Sequence, residues 1–237
     1  MKNKSKQKID EYKLTEATSV ISHQLKSPLS TIKGYVEVLL SGDLGKLTPE
    51  QKKYLRGVLT NTAQMIALVR DLLDMARIEA SQLYLQKKSS SLSKIVREAV
   101  KDFSLLAKAK NCELSLGAVE KLPLLKMDAI KIKQVMLNFI SNAILYNKRK
   151  GKVVVSLVKK GKNAVFCCKD TGLGITEKEK KKIFSKLYRG KRVIPMVPEG
   201  LGLGLFIAKA IIEKSGGKIW FESKEGEGSE FCFSLPF

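Results

Sequence analysis

Residues 14–39 read LTEATSVISHQLKSPLSTIKGYVEVL, and the apolar positions in this stretch recur at alternating spacings of three and four. This spacing predicts a long amphipathic helix of the coiled-coil type, with one kink at Pro28. The row comprises Leu14, Thr18, Ile21, Leu25, Pro28, Ile32, Tyr35 and Leu39. A helix with such a row is stable only when the row packs against other helices.

A second helix follows with the same spacing. The segment between them, SGDLGKLTPEQ at 41–51, contains two glycines and then a helix start. Thr48, Pro49 and Gln51 predict an N-cap, a proline in the first turn and a capping box. The second row comprises Leu55, Leu59, Thr62, Ile66, Val69, Leu73, Ala76, Ala80 and Leu83. We therefore expect a helical hairpin over 13–85 that pairs with a second copy into a four-helix bundle, which makes the protein a homodimer.

After residue 85 short strands alternate with helices, which predicts an α/β sandwich domain with a mixed sheet. We expect strands at 83–87, 112–116, 124–127, 153–159, 164–169, 218–223 and 230–235. We expect helices at 92–110, 129–146, 178–184 and 204–215. The predicted organisation is a polar lead at 1–12, the hairpin at 13–85 and the second domain at 86–237.

Composition excludes several classes of protein. With 44% hydrophobic and 28% charged residues among 237, the chain is neither disordered nor collagen-like. No apolar stretch approaches the roughly 18 residues of a membrane-spanning helix, so we expect a soluble, cytoplasmic protein without a transmembrane segment. The four cysteines show no C-x-x-C pair and no histidine-supported spacing. We predict four reduced thiols, with neither a zinc site nor a disulfide framework. These cysteines are Cys112, Cys167, Cys168 and Cys232.

The net charge of +21 is concentrated, because residues 148–192 hold 16 basic and 3 acidic residues. Such a patch attracts polyanions, among them nucleotides and acidic proteins. A solvated lysine-rich surface is the alternative explanation. We expect no specific nucleic-acid binding, since no recognition fold or aromatic interleaving accompanies the charge.

The chain contains one histidine, His23, which lies off the apolar row of the first helix and is predicted to face solvent. An exposed imidazole is partly neutral at pH 7 and can act as a nucleophile toward phosphorus. The alternative is an incidental surface histidine.

Two glycine clusters and an asparagine pair predict a phosphate site. DTGLG at 170–174 follows a strand, and GLGLG at 200–204 opens a helix. Glycine lets the backbone approach phosphates, and a helix N-terminus attracts anions. Asn138 and Asn142 lie four residues apart on one helix face, where their amide oxygens could hold Mg²⁺. A hydrogen bond between packed helices is the alternative role for them.

The order of these motifs resembles that of the sensor histidine kinases of two-component signalling, and the resemblance covers the chain from about residue 13 to its end. SHQLKSPLSTIKGY at 22–35 looks like the phosphoacceptor box of that family. QVMLNFISNAILYN at 134–147 resembles its asparagine box. The remaining boxes are similar to DTGLGI at 170–175, IFSKLYRG at 183–190, GLGLGLFIAK at 200–209, GGKIWFES at 216–223 and GEGSEFCFSLP at 226–236.

The resemblance implies a role for each motif residue. It implies that His23 is phosphorylated, that Asn142 ligates Mg²⁺ with Asn138 nearby, and that Tyr146 stacks on the adenine of ATP. It further implies that the Asp170 carboxylate binds the adenine amino group. It implies a lid over the nucleotide, residues 174–200, in which Phe184 packs and Arg189 meets the terminal phosphate. The other implied nucleotide-site residues are Gly172, Gly174, Gly200, Gly202 and Gly204 in the glycine boxes.

The sequence departs from the family pattern at three positions. Gln24 replaces the acidic residue that follows the histidine and takes its proton, and an amide can orient an imidazole but cannot accept its proton. Ser27 replaces the threonine or asparagine of the family's phosphatase step and keeps a hydroxyl. Leu145 replaces a lysine that contacts phosphate, a role that Lys148, Arg149 or Lys150 could take over.

The resemblance implies a protein-histidine kinase with ATP and Mg²⁺ as cofactors. It would phosphorylate itself and pass the group to an aspartate of a separate response regulator, and a phosphatase activity toward that regulator is a further expectation. The sensory input would come from an unknown protein or from a longer receptor of which this chain is a piece. Two alternatives stay open, another ATPase of the superfamily, such as a chaperone or mismatch-repair type, and a degenerate kinase that only docks partners.

Overall fold

The computed structural model describes residues 24–198 and 200–237, so His23 and the residues before it lie outside the described part. The chain divides into two compact units, with the boundary between Leu83 and Tyr84. In the described residues, no helix has the length and apolar character needed to cross a membrane.

The first unit contains helix α1, which covers 24–41, and helix α2, Pro49–Glu79. The start of α2 confirms the predicted capping box. Gln51 N donates to Thr48 Oγ1 at 3.2 Å, and Thr48 N donates to Gln51 Oε1 at 2.8 Å. Helix α1 continues through Pro28 without interruption. The sequence signals therefore place both described helices of the hairpin correctly.

The apolar row of α1 is largely exposed within one chain. Leu25 and Tyr35 are 46% and 69% exposed, whereas Leu29 and Val36, which lie beside that row, are 7% and 6% exposed. Two antiparallel helices can shield only a narrow stripe of each other, so the wider apolar face remains uncovered. The predicted pairing with a second copy would cover such a face and stays a prediction.

The second unit is built on two sheets. Its strands are β1 (Lys88–Ser90), β2 (Glu113–Val119), β3 (Leu125–Met127), β4 (Lys152–Lys160), β5 (Asn163–Asp170), β6 (Lys218–Lys224) and β7 (Gly228–Pro236). A five-stranded mixed sheet has the order β2-β4-β5-β7-β6, in which β2 pairs with β4 in parallel and the other neighbours are antiparallel. A separate two-stranded sheet joins β1 to β3. The predicted sandwich with a mixed sheet is confirmed.

Helices cover one face of the large sheet. They are α3 (Leu92–Asp102), α4 (Ser104–Ala109), α5 (Ala129–Leu145) and α7 (Gly204–Lys214), with a single turn, α6 (Glu177–Lys180), in the loop after β5. Phe139 of α5 lies at the centre of the core. Its ring centroid is 6.4 Å from that of Phe166 on β5 and 6.3 Å from that of Phe233 on β7, and all three rings are buried. These contacts fix α5, the carrier of the asparagine pair, against the sheet.

Three predicted elements differ from the structure. The expected strand at 83–87 is irregular, because Gln86 N donates to the side chain of Asp128 at 2.9 Å and not to a neighbouring strand. The strand begins five residues later, at Lys88. The expected helix at 92–110 is interrupted at Phe103, where α3 ends and α4 begins. The expected helix at 178–184 shrinks to the single turn α6.

The prediction of four reduced thiols is wrong, because Cys167 and Cys232 form a disulfide. They are direct partners in the antiparallel pairing of β5 and β7, with Cα atoms 4.2 Å apart. Sequence spacing could not indicate this bond, since 65 residues separate the two cysteines and only the strand register brings them together. Cys112 and Cys168 are free and buried, and burial raises the pKa of both thiols.

Candidate nucleotide-binding site

The junction of α5 and α7 brings the asparagine pair to the second glycine cluster. Asn142 Nδ2 donates to Asn138 Oδ1 at 3.4 Å, as expected for residues four apart on one helix face. A β-carbon on Gly204, the first residue of α7, would lie 2.3 Å from Asn138 Oδ1. Only glycine therefore allows the start of α7 to lie this close to the asparagine side chain.

Asn138 also carries an unsatisfied donor. Its Nδ2 atom is buried, and among the described residues it has no hydrogen-bond partner. Native proteins rarely leave a buried amide donor unpaired, and an exception often marks a place where a ligand or a bound water completes the bond. The α5–α7 junction thus offers a donor, a nearby amide oxygen and the N-terminus of a helix, which together suit an anion and its metal ion.

Asp170 ends β5 and points into the same unit's glycine loop. Its Oδ1 atom accepts hydrogen bonds from Gly172 N at 2.7 Å and from Ser229 N at 3.3 Å. Both bonds go to Oδ1, so Oδ2 is the oxygen that can accept a hydrogen from a ligand amino group. Burial raises the pKa of Asp170 to about 6, although the two backbone hydrogen bonds act in the opposite direction. The carboxylate is therefore ionised at neutral pH and becomes protonated under mild acid.

The DTGLG loop is held from two sides. A β-carbon on Gly172 would lie 2.5 Å from the carbonyl oxygen of Tyr146, and Leu173 N donates to that same oxygen at 3.2 Å. Gly174 has φ +61 and lies against the β6–β7 turn, where a β-carbon would be 2.0 Å from Lys224 O. Only glycine combines this conformation with this space. The DTGLG loop is thus fixed between the end of α5 and the β6–β7 turn.

Tyr146, the C-cap of α5, meets Arg189 from the lid segment. Burial raises the pKa of the Tyr146 phenol, and the nearby Arg189 guanidinium, which hydrogen-bonds to it, lowers that pKa in part. Arg189 also donates to the carbonyl oxygens of Pro198 at 2.9 Å, Gly200 at 3.1 Å and Val197. In this conformation the guanidinium is bonded to the lid backbone, and contact with a phosphate would require exchange of those bonds.

The base of the lid is anchored by Phe184. Its ring packs edge to face on Phe221 of β6 at a centroid distance of 5.9 Å, and Lys209 Nζ lies 6.0 Å from its centroid. Gly202, with φ +67, approaches the lid so closely that a β-carbon would lie 2.6 Å from Tyr188 O. Gly200, with φ +132, has open space around it. The phenylalanine segment and the second glycine cluster therefore form one packed region.

Sequence reasoning missed Asn147, which organises the end of α5. This buried side chain donates from Nδ2 to Lys152 O at 3.1 Å. Its Oδ1 accepts from Thr171 Oγ1 at 3.2 Å and from Lys148 N at 2.9 Å. These bonds join the asparagine helix to β4 and to the DTGLG loop, so Asn147 positions Tyr146 and Asp170. The signal was present, since a polar residue directly after a helix often bonds to nearby backbone.

The phosphoacceptor segment is only partly described. His23 lies outside the described residues. Gln24 and Ser27 are exposed on α1, and Thr31 Oγ1 donates to the backbone oxygen of Ser27 at 3.2 Å. Of the predicted phosphate-binding lysines, Lys148 donates from Nζ to Gly226 O on the β6–β7 turn. The structure thus brings together the predicted nucleotide residues of the second unit.

Two sequence families match the chain in order. Residues 13–81 match the His Kinase A (phospho-acceptor) domain, and residues 127–237 match the histidine kinase-, DNA gyrase B-, and HSP90-like ATPase domain. The match to the phospho-acceptor domain does not favour the alternative of a chaperone or repair ATPase.

Curated relatives and a solved structure agree with these matches. The chain is 30% identical to the circadian input-output histidine kinase CikA of Synechococcus elongatus over 93% of its length, and 30% identical to the sensor histidine kinase WalK of Bacillus subtilis over 94%. It spans only 30% and 36% of the lengths of those two relatives. The structure of full-length ShkA in complex with AMPPNP superposes with a TM-score of 0.73 at 26% identity, covering 94% of this chain and 46% of ShkA.

Proposed function

The chain belongs to the sensor histidine kinases, and on that premise we propose that it uses ATP to phosphorylate its own His23 and then passes the phosphoryl group to a response regulator. The observation that carries the proposal is the α5–α7 junction, where a buried amide donor with no partner in the described part of the chain adjoins the N-terminus of a helix. A bound ligand that accepts from this donor would remove a cost to the stability of the fold of about 1–3 kcal/mol.

The second unit would bind the nucleotide through groups already in place. Asp170 Oδ2 would accept a hydrogen from the adenine amino group, while Oδ1 stays bonded to Gly172 N and Ser229 N. Tyr146 would stack on the adenine. Arg189 would exchange its bonds to the lid carbonyls for bonds to the terminal phosphate, while Phe184 holds the base of the lid on Phe221. The DTGLG loop would therefore recognise the adenine of ATP, and the α5–α7 junction would recognise its phosphates.

The donor set at the junction suits Mg²⁺. Asn142 and Asn138 offer amide oxygens, which are hard ligands of the kind that Mg²⁺ accepts beside phosphate oxygens. A bound magnesium ion would neutralise charge on the phosphates during transfer. Asn142 would be the ligand, and Asn138 would orient it through the bond between their amides.

The chemical step would form one bond and break another. A nitrogen of the His23 imidazole attacks the terminal phosphorus, the bond between that phosphorus and the bridging oxygen of ADP breaks, and the imidazole loses its proton. Gln24 can hold the ring by a hydrogen bond but cannot accept that proton, so water or another group must take it. We therefore propose a slow kinase, because general-base assistance is worth about 10²- to 10⁴-fold in rate.

Transfer onward would involve two partners. The exposed apolar row of α1 favours a homodimer, in which a second hairpin covers Leu25, Ile32 and Tyr35. The phosphohistidine would give its group to an aspartate of a response regulator that binds the hairpin, and the Ser27 hydroxyl would position a water for the reverse phosphatase reaction. The sensory input would come from a further protein or domain, since the chain spans about a third of its relatives.

Incubation with Mg-ATP tests the proposal. The wild-type chain should acquire phosphate that is labile in acid and stable in base, and His23→Ala should acquire none. Asp170→Asn should lose label because the nucleotide binds poorly, whereas Asp43→Asn, an exposed carboxylate of the hairpin loop, serves as the matched control and should label normally. Hydrolysis of ATP without labelling of the wild type would contradict the proposal.

A further inference from the structure

The disulfide lies on the face of the large sheet that carries no helices. Phe166 and Phe233 point toward Phe139 of α5, so the adjacent residues along each strand point the opposite way. Those neighbours are Cys167 on β5 and Cys232 on β7, which are direct partners across the ladder. The pair is therefore on the other side of the sheet from the asparagine helix, apart from the nucleotide site.

A third ligand atom lies beside the two sulfurs. Glu230 is two residues before Cys232 on the same strand and so shares its face. The two sulfur atoms and a carboxylate oxygen of Glu230 all lie within 4.8 Å of one another. Glu230 is flanked by Lys169 on β5 and by Glu222 on β6, its register partners on either side. Two sulfurs and the Glu230 carboxylate thus lie within reach of one ion on adjacent central strands.

We propose that, when the disulfide is reduced, Cys167, Cys232 and Glu230 bind one thiophilic divalent cation, with Zn²⁺ the best match. Zinc takes thiolate and carboxylate ligands in tetrahedral geometry, and three protein ligands leave the fourth position for water. Two sulfurs on one zinc ion lie about 3.8 Å apart, from bond lengths of about 2.3 Å. Strand neighbours whose Cα atoms are 4.2 Å apart can supply that separation by side-chain rotation.

The disulfide and the bound ion exclude each other. A dithiol donates two electrons and two protons to the S–S bond, which breaks into two thiols while the dithiol becomes a disulfide. Binding of Zn²⁺ then releases both thiol protons, because only thiolates ligate the ion. In the oxidised chain each sulfur is bonded to the other and offers no thiolate. Occupancy of the site therefore requires reduction.

The chain contains its own optical reporter for this site. Trp220, the single tryptophan, lies on β6 as the direct register partner of Cys232. Disulfides quench a neighbouring excited indole by electron transfer, so reduction should raise the fluorescence of Trp220. Addition of zinc should then change the emission a second time.

Titration with Co²⁺ and Zn²⁺ tests the proposal on the full chain. A phosphine, which takes one oxygen atom from water, first reduces the disulfide to two thiols and is then removed. The reduced wild type should bind one equivalent of Co²⁺ with a thiolate-to-cobalt charge-transfer band in the near ultraviolet, and Zn²⁺ should abolish that band. The oxidised wild type and the variant Cys167→Ser should show no band.

A matched pair of carboxylate variants separates ligation from folding. Glu230→Gln should weaken Co²⁺ binding about tenfold or more, the loss typical when a group that supports a metal site is removed. Glu222→Gln changes the neighbouring carboxylate on the same face and should bind like the wild type. Far-UV circular dichroism reports whether each variant is folded.

Three results would overturn the proposal. They are a reduced wild type without a charge-transfer band, a band of equal strength in the oxidised chain, and equal cobalt affinity in Glu230→Gln and Glu222→Gln. The comparison of Glu230→Gln with Glu222→Gln tests the proposal even if Cys167→Ser does not fold, because both glutamates lie at the surface of the sheet.

Discussion

Lowering the pH from 7 to 5 should weaken nucleotide binding about tenfold through Asp170. Burial holds the pKa of this carboxyl at about 6, compared with its ordinary 3.8. The ionised fraction then falls from about 0.9 at pH 7 to about 0.1 at pH 5, and apparent affinity scales with the fraction that can bind. A carboxyl with an ordinary pKa would stay mostly ionised over this range, so the size of the effect reports the burial of Asp170.

Lowering the pH should have the opposite effect on the stability of the fold, through the same Asp170 carboxyl. The native pKa is raised above the unfolded value, so Asp170 supports folding fully below about pH 4 and loses that contribution as the pH rises through 6. At pH 7 the ionised, half-buried carboxylate should therefore destabilise the chain by up to about 3 kcal/mol, from a shift of about two pKa units at 1.36 kcal/mol each. Asp170→Asn should unfold at a higher temperature than the wild type at pH 7 and at a similar temperature at pH 4.

Calorimetric titration with Mg-ADP at pH 5, 6 and 7 measures the binding effect. The phosphates of the ligand also titrate in this range, so the informative quantity is the ratio of wild-type affinity to Asp170→Asn affinity at each pH. That ratio should fall about tenfold between pH 7 and pH 5. A ratio that stays constant, or an Asp170→Asn chain that binds like the wild type at pH 7, would refute the assignment of Asp170 as the acceptor for adenine.

Three further predictions concern single substitutions. Gln24→Glu restores a group that can accept the imidazole proton and should raise the rate of autophosphorylation by about 10²-fold, and a rate no higher than that of Gln24→Ala would show that the missing base is not limiting. Gly204→Ala places a methyl group against Asn138 and should weaken nucleotide binding tenfold or more, about 1.4 kcal/mol in calorimetry. Gly57→Ala, in open space on α2, should leave binding unchanged. Thr48→Ala removes the capping box and should lower the free energy of unfolding by about 1 kcal/mol in urea titrations, and an unchanged midpoint would contradict the role of the cap.

Local signals predicted much of the fold. The capping box at Thr48 located the start of α2, and the strands β4, β5, β6 and β7 lie within two residues of their predicted bounds. Each of these elements is specified by residues close in sequence, such as cap side chains and runs of β-branched residues. The same holds for α5, whose apolar face packs on the sheet as expected.

Long-range pairing explains what the sequence could not reveal. The expected strand at 83–87 failed because the backbone of Gln86 bonds to the Asp128 side chain, 42 residues away. The disulfide was missed because only the register of β5 and β7 makes Cys167 and Cys232 neighbours. Neither event has a local signature, since both depend on which strands pair and in which register.

In the candidate site, too, local motifs identified residues, whereas the contacts between distant residues came only from the structure. The motifs located Asn138, Asp170 and Gly204. The structure adds the close approach of Gly204 to Asn138 and the bond to Asn147 from Thr171, the residue after Asp170. The engagement of Arg189 by lid carbonyls could not be foreseen, because it depends on how the lid folds back on itself. The ligand roles of all these residues stay predictions.

The destination of the terminal phosphate tests the central claim most directly. The chain would be incubated with Mg-ATP labelled at either the γ- or the α-phosphorus, then digested with trypsin at alkaline pH, where phosphohistidine survives. Cleavage after Lys13 and Lys26 isolates peptide 14–26, which contains the only histidine. The account predicts that γ-label, and not α-label, is found on this peptide, and γ-label on any other peptide, or on none, would contradict it.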